Sequence, residues 1–488
     1  MKKTFSLLLS SLLSVGVGAH QLEPLHTLEA QTSAVNSSQQ PHNVLLLLID
    51  DLGWTDLGAY GSQYHESPNI DALASKSRLY TQAYASSPVC SPTRAALLTG
   101  KHPSRLKITT HFPGHKEKTP KLQEPWKTDH LALSEFTLAE AFQSRGYSTF
   151  FAGKWHLGGE GKLPTDQGFD INIGGFNKGS PRGGYYDPYK NPNLPNRTPG
   201  EHLTKRLTDE TIDFLKQDHN EPFFALLSYY AVHTPLEAGP DKHEYFEKKA
   251  NKVAGAKAFL IDTDHDSRTQ LNQVDAKYAS MIWAVDKSVG RILAALEQQG
   301  LDKNTLVVLT SDNGGFSTRK QGDTRVTATA NLPLRSGKGW IYEGGIRIPL
   351  LIHQPGQQIQ SQHDTLTTTV DLYPTLTAVA GAKTAKNIDG TDLLMLDNNP
   401  DIARQRPVVW HHPHYHGSGN TPSEAIRVGD WKLLHFYEHD TVELYNLKQD
   451  IAEQVNLADS EPEKKRQLLN LLDEWYTDND IERVSLIE

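Results

Sequence analysis

Cysteine is nearly missing: the 488 residues contain one, Cys90. A single thiol excludes an intramolecular disulfide and any cysteine-rich metal site. Long apolar runs are missing as well. Past residue 19 no stretch is long enough to cross a bilayer as a helix, so no membrane span is expected. Basic excess is absent: 49 Lys+Arg stand against 58 Asp+Glu, a formal charge of −9. That balance argues against a protein built to coat nucleic acid, while leaving room for a local basic pocket around a small anion. There is no internal repeat and no long low-complexity tract. What is present, 37% hydrophobic and 22% charged residues, can bury a core and excludes wholesale disorder.

The first residues have the form of an export signal. Met1-Lys2-Lys3 is a short positive region, an apolar, serine-interrupted stretch runs from Phe5 to about Val17, and Val17-Gly18-Ala19 offers cleavage after Ala19. No cysteine lies near that point, which excludes a lipid anchor through Cys. Residues 1–19 are therefore expected to be a signal peptide. Polar residues 20–40 are expected to be a flexible mature N-terminus, and the protein to be exported, periplasmic or secreted.

Beyond residue 40 the chain alternates strands and helices. Val44–Ile49 is a short, continuous apolar run ending in charge, which suits a strand buried on both faces of a parallel sheet. Leu306–Leu309 and Phe223–Leu227 have the same character, and Tyr147–Phe151 is a more mixed strand. Val274 to Gln299 carries apolar residues in steps of three and four, one helical stripe that Gly300 closes. Ser67-Pro68-Asn69 reads as another helix start. The pattern predicts an α/β fold, a mostly parallel sheet flanked by helices. From about Asn387 the texture changes to short strands around Val408–Trp410, Ala425–Val428, Trp431–Leu434 and Val442–Tyr445. A final helix over about Pro462–Tyr476 follows. We therefore divide the chain into a catalytic domain at 41–385 and a smaller C-terminal part at 386–488 with a short antiparallel sheet. Gly174–Gly200, rich in Gly, Pro, Asn and Tyr, reads as a long surface loop.

Polar groups follow each strand: Asp50-Asp51, then Gly153-Lys154-Trp155-His156, His233-Thr234-Pro235 and Ser311-Asp312-Asn313-Gly314-Gly315. Open α/β sheets collect ligands at the carboxyl ends of their strands, so parallel neighbours would bring these groups to one rim. Asp50, Asp51, Asp312 and Asn313 offer hard oxygen ligands suited to Ca²⁺ or Mg²⁺. Alone, Asp50-Asp51 is equally consistent with a helix or turn cap. Cys90 opens a segment in which Pro92 suits a first helical turn and Arg94 falls one turn later, an anion-favouring environment. Singly, His156 and His233 are as consistent with structural histidines, and Lys154 and Lys338 with surface lysines.

Cys90-Ser91-Pro92-Thr93-Arg94, followed by Leu98-Thr99-Gly100, resembles the Cys-x-Pro-x-Arg signature of type I, formylglycine-dependent sulfatases of the alkaline phosphatase superfamily. Gly153–Gly158, Ser311–Gly314 and Gly337–Gly345 are similar to further motifs of that family, in the family's order. The resemblance implies an alkaline-phosphatase-like fold. It implies that Cys90 is oxidised to formylglycine by a maturation enzyme and becomes the nucleophile. One Ca²⁺ would be held by Asp50, Asp51, Asp312, Asn313 and an oxygen at position 90. Arg94 and Lys154 would stabilise the ionised hydrate, and Lys154, Lys338 and His233 would hold sulfate oxygens. Asp312 would accept the nucleophile's proton, His233 would protonate the leaving alcohol, and His156 would deprotonate the second hydroxyl.

The substrate implied is a sulfated carbohydrate, a polysaccharide or its oligosaccharides. Rival readings are an arylsulfatase, a phosphoester or phosphonate hydrolase on the same fold, or a non-catalytic sulfated-glycan-binding relative. Four histidines cluster at His411, His412, His414 and His416. His412 and His414 are expected to contact substrate from a C-terminal loop, and Tyr185-Tyr186 to offer a sugar-stacking surface.

Overall fold

The computed structural model describes residues 42–253, 255, 258–262 and 265–487. The expected signal peptide and mature N-terminus, residues 1–40, lie outside them. Eight strands form the main sheet: β1 (Asn43–Ile49), β2 (Arg78–Tyr80), β3 (Ser148–Gly153), β4 (Ile171–Ile173), β5 (Phe223–Ser228), β6 (Thr305–Ser311), β7 (Leu350–His353) and β8 (Ser361–His363). Their order is β8-β2-β7-β6-β1-β5-β3-β4. β6, β1, β5, β3 and β4 run parallel, and β7 is antiparallel to both its neighbours.

The apolar run of β1 explains the layering. Successive side chains of a strand point to opposite faces. Leu45, Leu47 and Ile49 enter one core, with the helices Leu203–Leu215 and Ala276–Gln298. Val44, Leu46 and Leu48 enter the other, with the helices Cys90–Thr99, Leu138–Gln143 and Thr369–Val379. Each such side chain, fully buried, contributes about 1.5–3 kcal/mol relative to exposure. The predicted long helix begins at Ala276, where the Asp275 side chain accepts the Tyr278 N–H, and gives way to Gly300 in a left-handed conformation.

The C-terminal strands form a second, antiparallel sheet, β9 (Val408–His412), β10 (Ser423–Val428), β11 (Trp431–Phe436) and β12 (Thr441–Asn446), in sequential order. One face packs Trp410, Leu434 and Phe436 against Trp340, Ile341 and Tyr342. The other packs Ile426, Leu433 and Leu444 against Leu468, Leu472 and Tyr476 of the helix Pro462–Asn479. The predicted fold class is thus the observed one. Among the described residues no helix is long and apolar enough to cross a membrane.

Residues 174–200 depart from the sequence expectation. They form no helix or strand, yet Tyr185, Tyr189 and Leu194 are buried in the main core. The Tyr185 hydroxyl donates to the carbonyls of Tyr230 (2.7 Å) and His233 (2.8 Å). Tyr185 is therefore a brace under the His233 segment rather than a sugar-stacking surface, because its ring is large enough to reach the core from an irregular backbone.

One buried ion network joins the second sheet to the main body. Lys432 Nζ donates to Glu343 Oε1 (3.0 Å) and Glu453 Oε1 (2.8 Å), all three side chains being fully buried. Glu343 Oε2 accepts from the Tyr84 hydroxyl (2.6 Å) and Arg347 (3.2 Å). Removing the shared cation leaves two buried carboxylates facing each other. Lys432→Met should lower the unfolding free energy by about 3–5 kcal/mol, read as a fall in the denaturant midpoint. An unchanged midpoint would mean that the network carries no stability.

Candidate active site

Four parallel strand ends deliver the site. β1 ends into Asp50-Asp51, β3 into Lys154-Trp155-His156, β5 into Tyr229–His233 and β6 into Asp312-Asn313. Ligand oxygens of Asp50, Asp51 and Asp312 lie within 4.8 Å of one another, all buried. Asp51 N donates to Asp312 Oδ1 (3.1 Å), and Asn313 Nδ2 donates to Asp51 Oδ1 (2.8 Å). Asp51 and His156 are both left-handed, with φ of 59°. A left-handed non-glycine residue costs about 1–2 kcal/mol, which the surrounding packing must offset.

Three cations neutralise the carboxylates. Lys154 Nζ donates to Asp50 Oδ2 at 2.6 Å. Lys338 Nζ lies 2.6 Å from Asp51 Oδ1 and 2.8 Å from its Oδ2. Arg94 contacts Asp312 Oδ2 through Nε (2.8 Å) and a terminal nitrogen (2.7 Å). Its other terminal nitrogen donates to the Lys154 carbonyl (2.8 Å) and Ser228 Oγ (2.6 Å). Burial, with Asp312 nearby, raises the Asp50 carboxyl well above its usual range even beside Lys154. Burial acts the same way on Asp51, but Lys338 and His233 outweigh it and hold that carboxyl below its usual range. On Asp312, Arg94 and Lys154 likewise outweigh burial.

Cys90 is the first residue of its helix, buried, with Sγ 3.4 Å from His156 Nδ1. His156 Nε2 faces the Phe112 carbonyl at 2.8 Å. A carbonyl only accepts, so Nε2 carries the hydrogen and the Nδ1 lone pair points at position 90. Burial, reinforced by Lys154, keeps the His156 ring neutral. His233 Nδ1 lies 2.6 Å from the Thr234 carbonyl and Nε2 3.8 Å from Asp51 Oδ2. Burial and Lys338 push its imidazolium down to about 3.

The donor set fits a hard divalent cation. Asp50 Oδ1, within the cluster of three carboxylates, and Asn313 Oδ1 are buried acceptors with no hydrogen-bond partner among the described residues, which leaves both oxygens available as ligands.

Backbones pack closely enough here to require glycine. A Cβ on Gly314 would sit 1.9 Å from the Gly344 carbonyl oxygen, while Gly314 N donates to the Gly345 carbonyl at 2.9 Å. Lys338 N donates to the Gly315 carbonyl at 3.0 Å. These contacts fasten the Lys338 loop to the segment that follows Asp312-Asn313.

Every predicted catalytic residue, Cys90, Arg94, Lys154, His156, His233, Asp312 and Lys338, thus lines one site. The two predicted substrate histidines do not reach it in the expected way. His412 lies in β9 rather than a loop and is fully buried, its ring nitrogens without a hydrogen-bond partner among the described residues. His414 is buried with both nitrogens engaged, by Thr109 Oγ1 (2.7 Å) and Glu124 Oε2 (2.9 Å), which leaves none for a ligand. Sequence reasoning also missed contributors. Ser228, whose Oγ donates to the Lys154 carbonyl at 2.8 Å, was findable as the last residue of β5. Asn331 carried no signal. Its Nδ2 reaches the carbonyls of Gly315 (3.0 Å), Ser336 (3.0 Å) and Gly344 (3.2 Å) from an irregular loop. His111 carried none either, and its ring stands near Lys338, His156 and Lys154.

The sulfatase family model matches residues 42–382, and that of the N-sulphoglucosamine sulphohydrolase C-terminal region matches 336–477. The chain is 30% identical over 512 residues to a sulfatase of Formosa agariphila, covering 89% of this chain and 88% of that protein. It is 33% identical over 449 residues to the N-acetylgalactosamine-6-sulfatase of Rattus norvegicus, covering 86% and 76%. Among solved structures it is similar to Ps i-CgsB, with a TM-score of 0.72 and 28% identity over 90% of this chain and 94% of that one.

Gly153 permits the turn that aims Lys154: its φ is 106°, and a Cβ would lie 1.8 Å from the Ser228 carbonyl oxygen. Lys154 N donates to that same oxygen at 2.8 Å. Gly153→Ala must push β3 from β5 at the site. The expected outcome is a loss of sulfate-ester turnover of at least tenfold, with a lowered melting temperature; wild-type turnover would show that the β3 end is not position-critical.

Proposed function

Because the chain belongs to the sulfatase family and is a sulfuric ester hydrolase, we propose that it is an exported, calcium-dependent enzyme that removes sulfate from a carbohydrate, a sulfated polysaccharide or its oligosaccharides. The observation that carries this reading is the convergence of Cys90, three carboxylates, Asn313 and five basic side chains at one strand rim. The carbohydrate part draws support from relatives that include N-acetylgalactosamine-6-sulfatases, and from a solved neighbour, 27% identical, in complex with k-i-k-neocarrahexaose. Export to the periplasm or beyond draws support from Met1–Ala19, and would also suit a protein whose lone cysteine is kept for chemistry.

The metal reading rests on Asp50, Asp51, Asp312 and Asn313. Ca²⁺ bound among their oxygens supplies positive charge that helps an anionic ester approach a nucleophile and stabilises charge on the departing oxygen. With the charge of Asp50 and Asp51 shared by the cation, Lys154 and Lys338 would be free to pair with the sulfate. Cys90 fits the formylglycine precursor: it opens a helix, it touches His156, it lies in the field of Arg94 and Lys338, and its segment carries the family signature. The aldehyde hydrate made by a formylglycine-generating partner supplies two hydroxyls at one carbon, one to attack sulfur and one to expel sulfate.

The chain's own groups divide the remaining work. Arg94, Lys154 and Lys338 cancel the repulsion between an anionic ester and its attacker. Asp312, fixed by Arg94, takes the attacking proton. His156, with its Nδ1 lone pair at position 90, takes the second one. His233 protonates the leaving alcohol. A bound sulfate ester sets negative charge beside that ring and raises its proton affinity from the low value imposed by Lys338 and burial.

Free sulfate release should be measured from 6-sulfated galactose and hexosamines, sulfated galactan oligosaccharides, 4-nitrophenyl sulfate and 4-nitrophenyl phosphate. Turnover confined to the aryl or phosphate esters would overturn the carbohydrate reading. Cys90→Ala should abolish turnover at an unchanged melting temperature, and mass spectrometry of the wild-type Cys90 peptide should show the aldehyde. Near-normal activity in that variant would remove the nucleophile. Asp312→Asn should lose bound calcium, measured by elemental analysis, and at least 100-fold in kcat; retained calcium would break the ligand assignment.

A further inference from the structure

The segment following the Cys90 helix crosses beside the site. Its Phe112 carbonyl fixes His156, and its Thr109 hydroxyl fixes His414. Between these two anchors stands His111. Its ring meets His416 edge-on, with centroids 5.5 Å apart. His416 is itself locked: Nδ1 lies 2.7 Å from Ser418 Oγ, and a Cβ on Gly339 would fall 1.9 Å from that nitrogen. The His416 ring is therefore pressed onto the backbone next to Lys338, with His412 behind it at 6.3 Å. His411, His412, His414 and His416 are all buried, whereas His111 remains partly exposed. Its only hydrogen-bond contact among the described residues is a long one, Nδ1 to Thr110 Oγ1 at 3.5 Å, and Nε2 has none. The groups acting on the ring, Lys338, His156, Lys154 and His233, are those of the sulfate pocket.

We propose that His111, held by His416, binds a neutral hydroxyl of the sugar that carries the scissile sulfate, through Nε2. This rests on the carbohydrate reading above and adds to it a specificity-determining residue. Burial and the neighbouring Lys338 push the imidazolium of His111 down to about 3, so the ring is neutral at any ordinary pH. A neutral imidazole offers one N–H and one lone pair, which match a hydroxyl but give an additional sulfate or carboxylate no charge to pair with. Of the two cations that act on His416, Lys338 belongs to the sulfate pocket and Arg325 is engaged elsewhere, by Asp323 and by the Gly417 carbonyl at 2.7 Å. A site that hydrogen-bonds a substrate hydroxyl rejects the analogue lacking it, because the protein partner is left unpaired.

The test compares each sulfated monosaccharide with its monodeoxy derivatives. Galactose 6-sulfate, N-acetylgalactosamine 6-sulfate and N-acetylglucosamine 6-sulfate serve as probes, in wild type, His111→Ala and His111→Gln. For one hydroxyl of the preferred sugar, wild type should favour the hydroxyl over the deoxy form by about tenfold in kcat/KM, the scale of one hydrogen bond. His111→Ala should reduce that ratio to below threefold, and His111→Gln should restore part of it. The inhibition constant of inorganic sulfate, which reads the anion pocket alone, should move less than twofold. Equal hydroxyl-to-deoxy ratios in wild type and His111→Ala would overturn the assignment, as would a parallel loss of sulfate inhibition. A wild type that releases sulfate from none of these sugars would overturn this assignment, and one that also releases none from sulfated galactan oligosaccharides would overturn the carbohydrate reading.

Discussion

Three carboxylates held within 4.8 Å of one another, away from water, repel each other strongly. The site is organised around that repulsion. Arg94 is assigned to Asp312, Lys154 to Asp50 and Lys338 to Asp51, each in direct contact. The cations come from a helix, a strand end and a loop far apart in the chain, so the fold must be complete before the charges are balanced. A cluster whose carboxylates and cations are so closely matched suits a task in which an anion enters and negative charge moves from one oxygen to another.

Precision at such distances requires a stiff frame. The frame is mainly backbone against backbone: Gly153 against Ser228, Gly314 against Gly344, and Lys338 N on the Gly315 carbonyl. Asn331 ties three of these turns through one amide. The second sheet adds support from outside. Its Lys432 holds Glu343, and its aromatic face packs Trp340 and Tyr342, so the loop presenting Lys338 is clamped on two sides. Glu343 therefore acts as a structural anchor, one step removed from the chemistry.

The histidines divide by what surrounds them. His156 and His233 keep a nitrogen toward the reacting centre because a carbonyl occupies the other. His414 has spent both nitrogens on Thr109 and Glu124. His111 keeps Nε2 without a partner among the described residues, within the field of Lys338 and Lys154. In the proposed mechanism one residue type thus serves as base, acid, strut and recognition element, according to its hydrogen-bond partners.

Local sequence determined the strands, the long helix and the chemistry at each strand end. The information there is short-range: apolar runs such as Val44–Ile49, the stripe of Ala276–Gln298, and carboxylates or lysines at fixed offsets after them. Parallel strands then bring those ends to one rim, so Asp50, Asp51, Lys154, His233 and Asp312 were legible before any coordinates. The directions of side chains outside regular elements were not. Tyr185 turned into the core, His414 toward Glu124, and Asn331 and His111 into the site, from segments with no periodicity to fix a face. Those orientations depend on partners from 5 to 305 residues away, and only the packed tertiary structure selects among them.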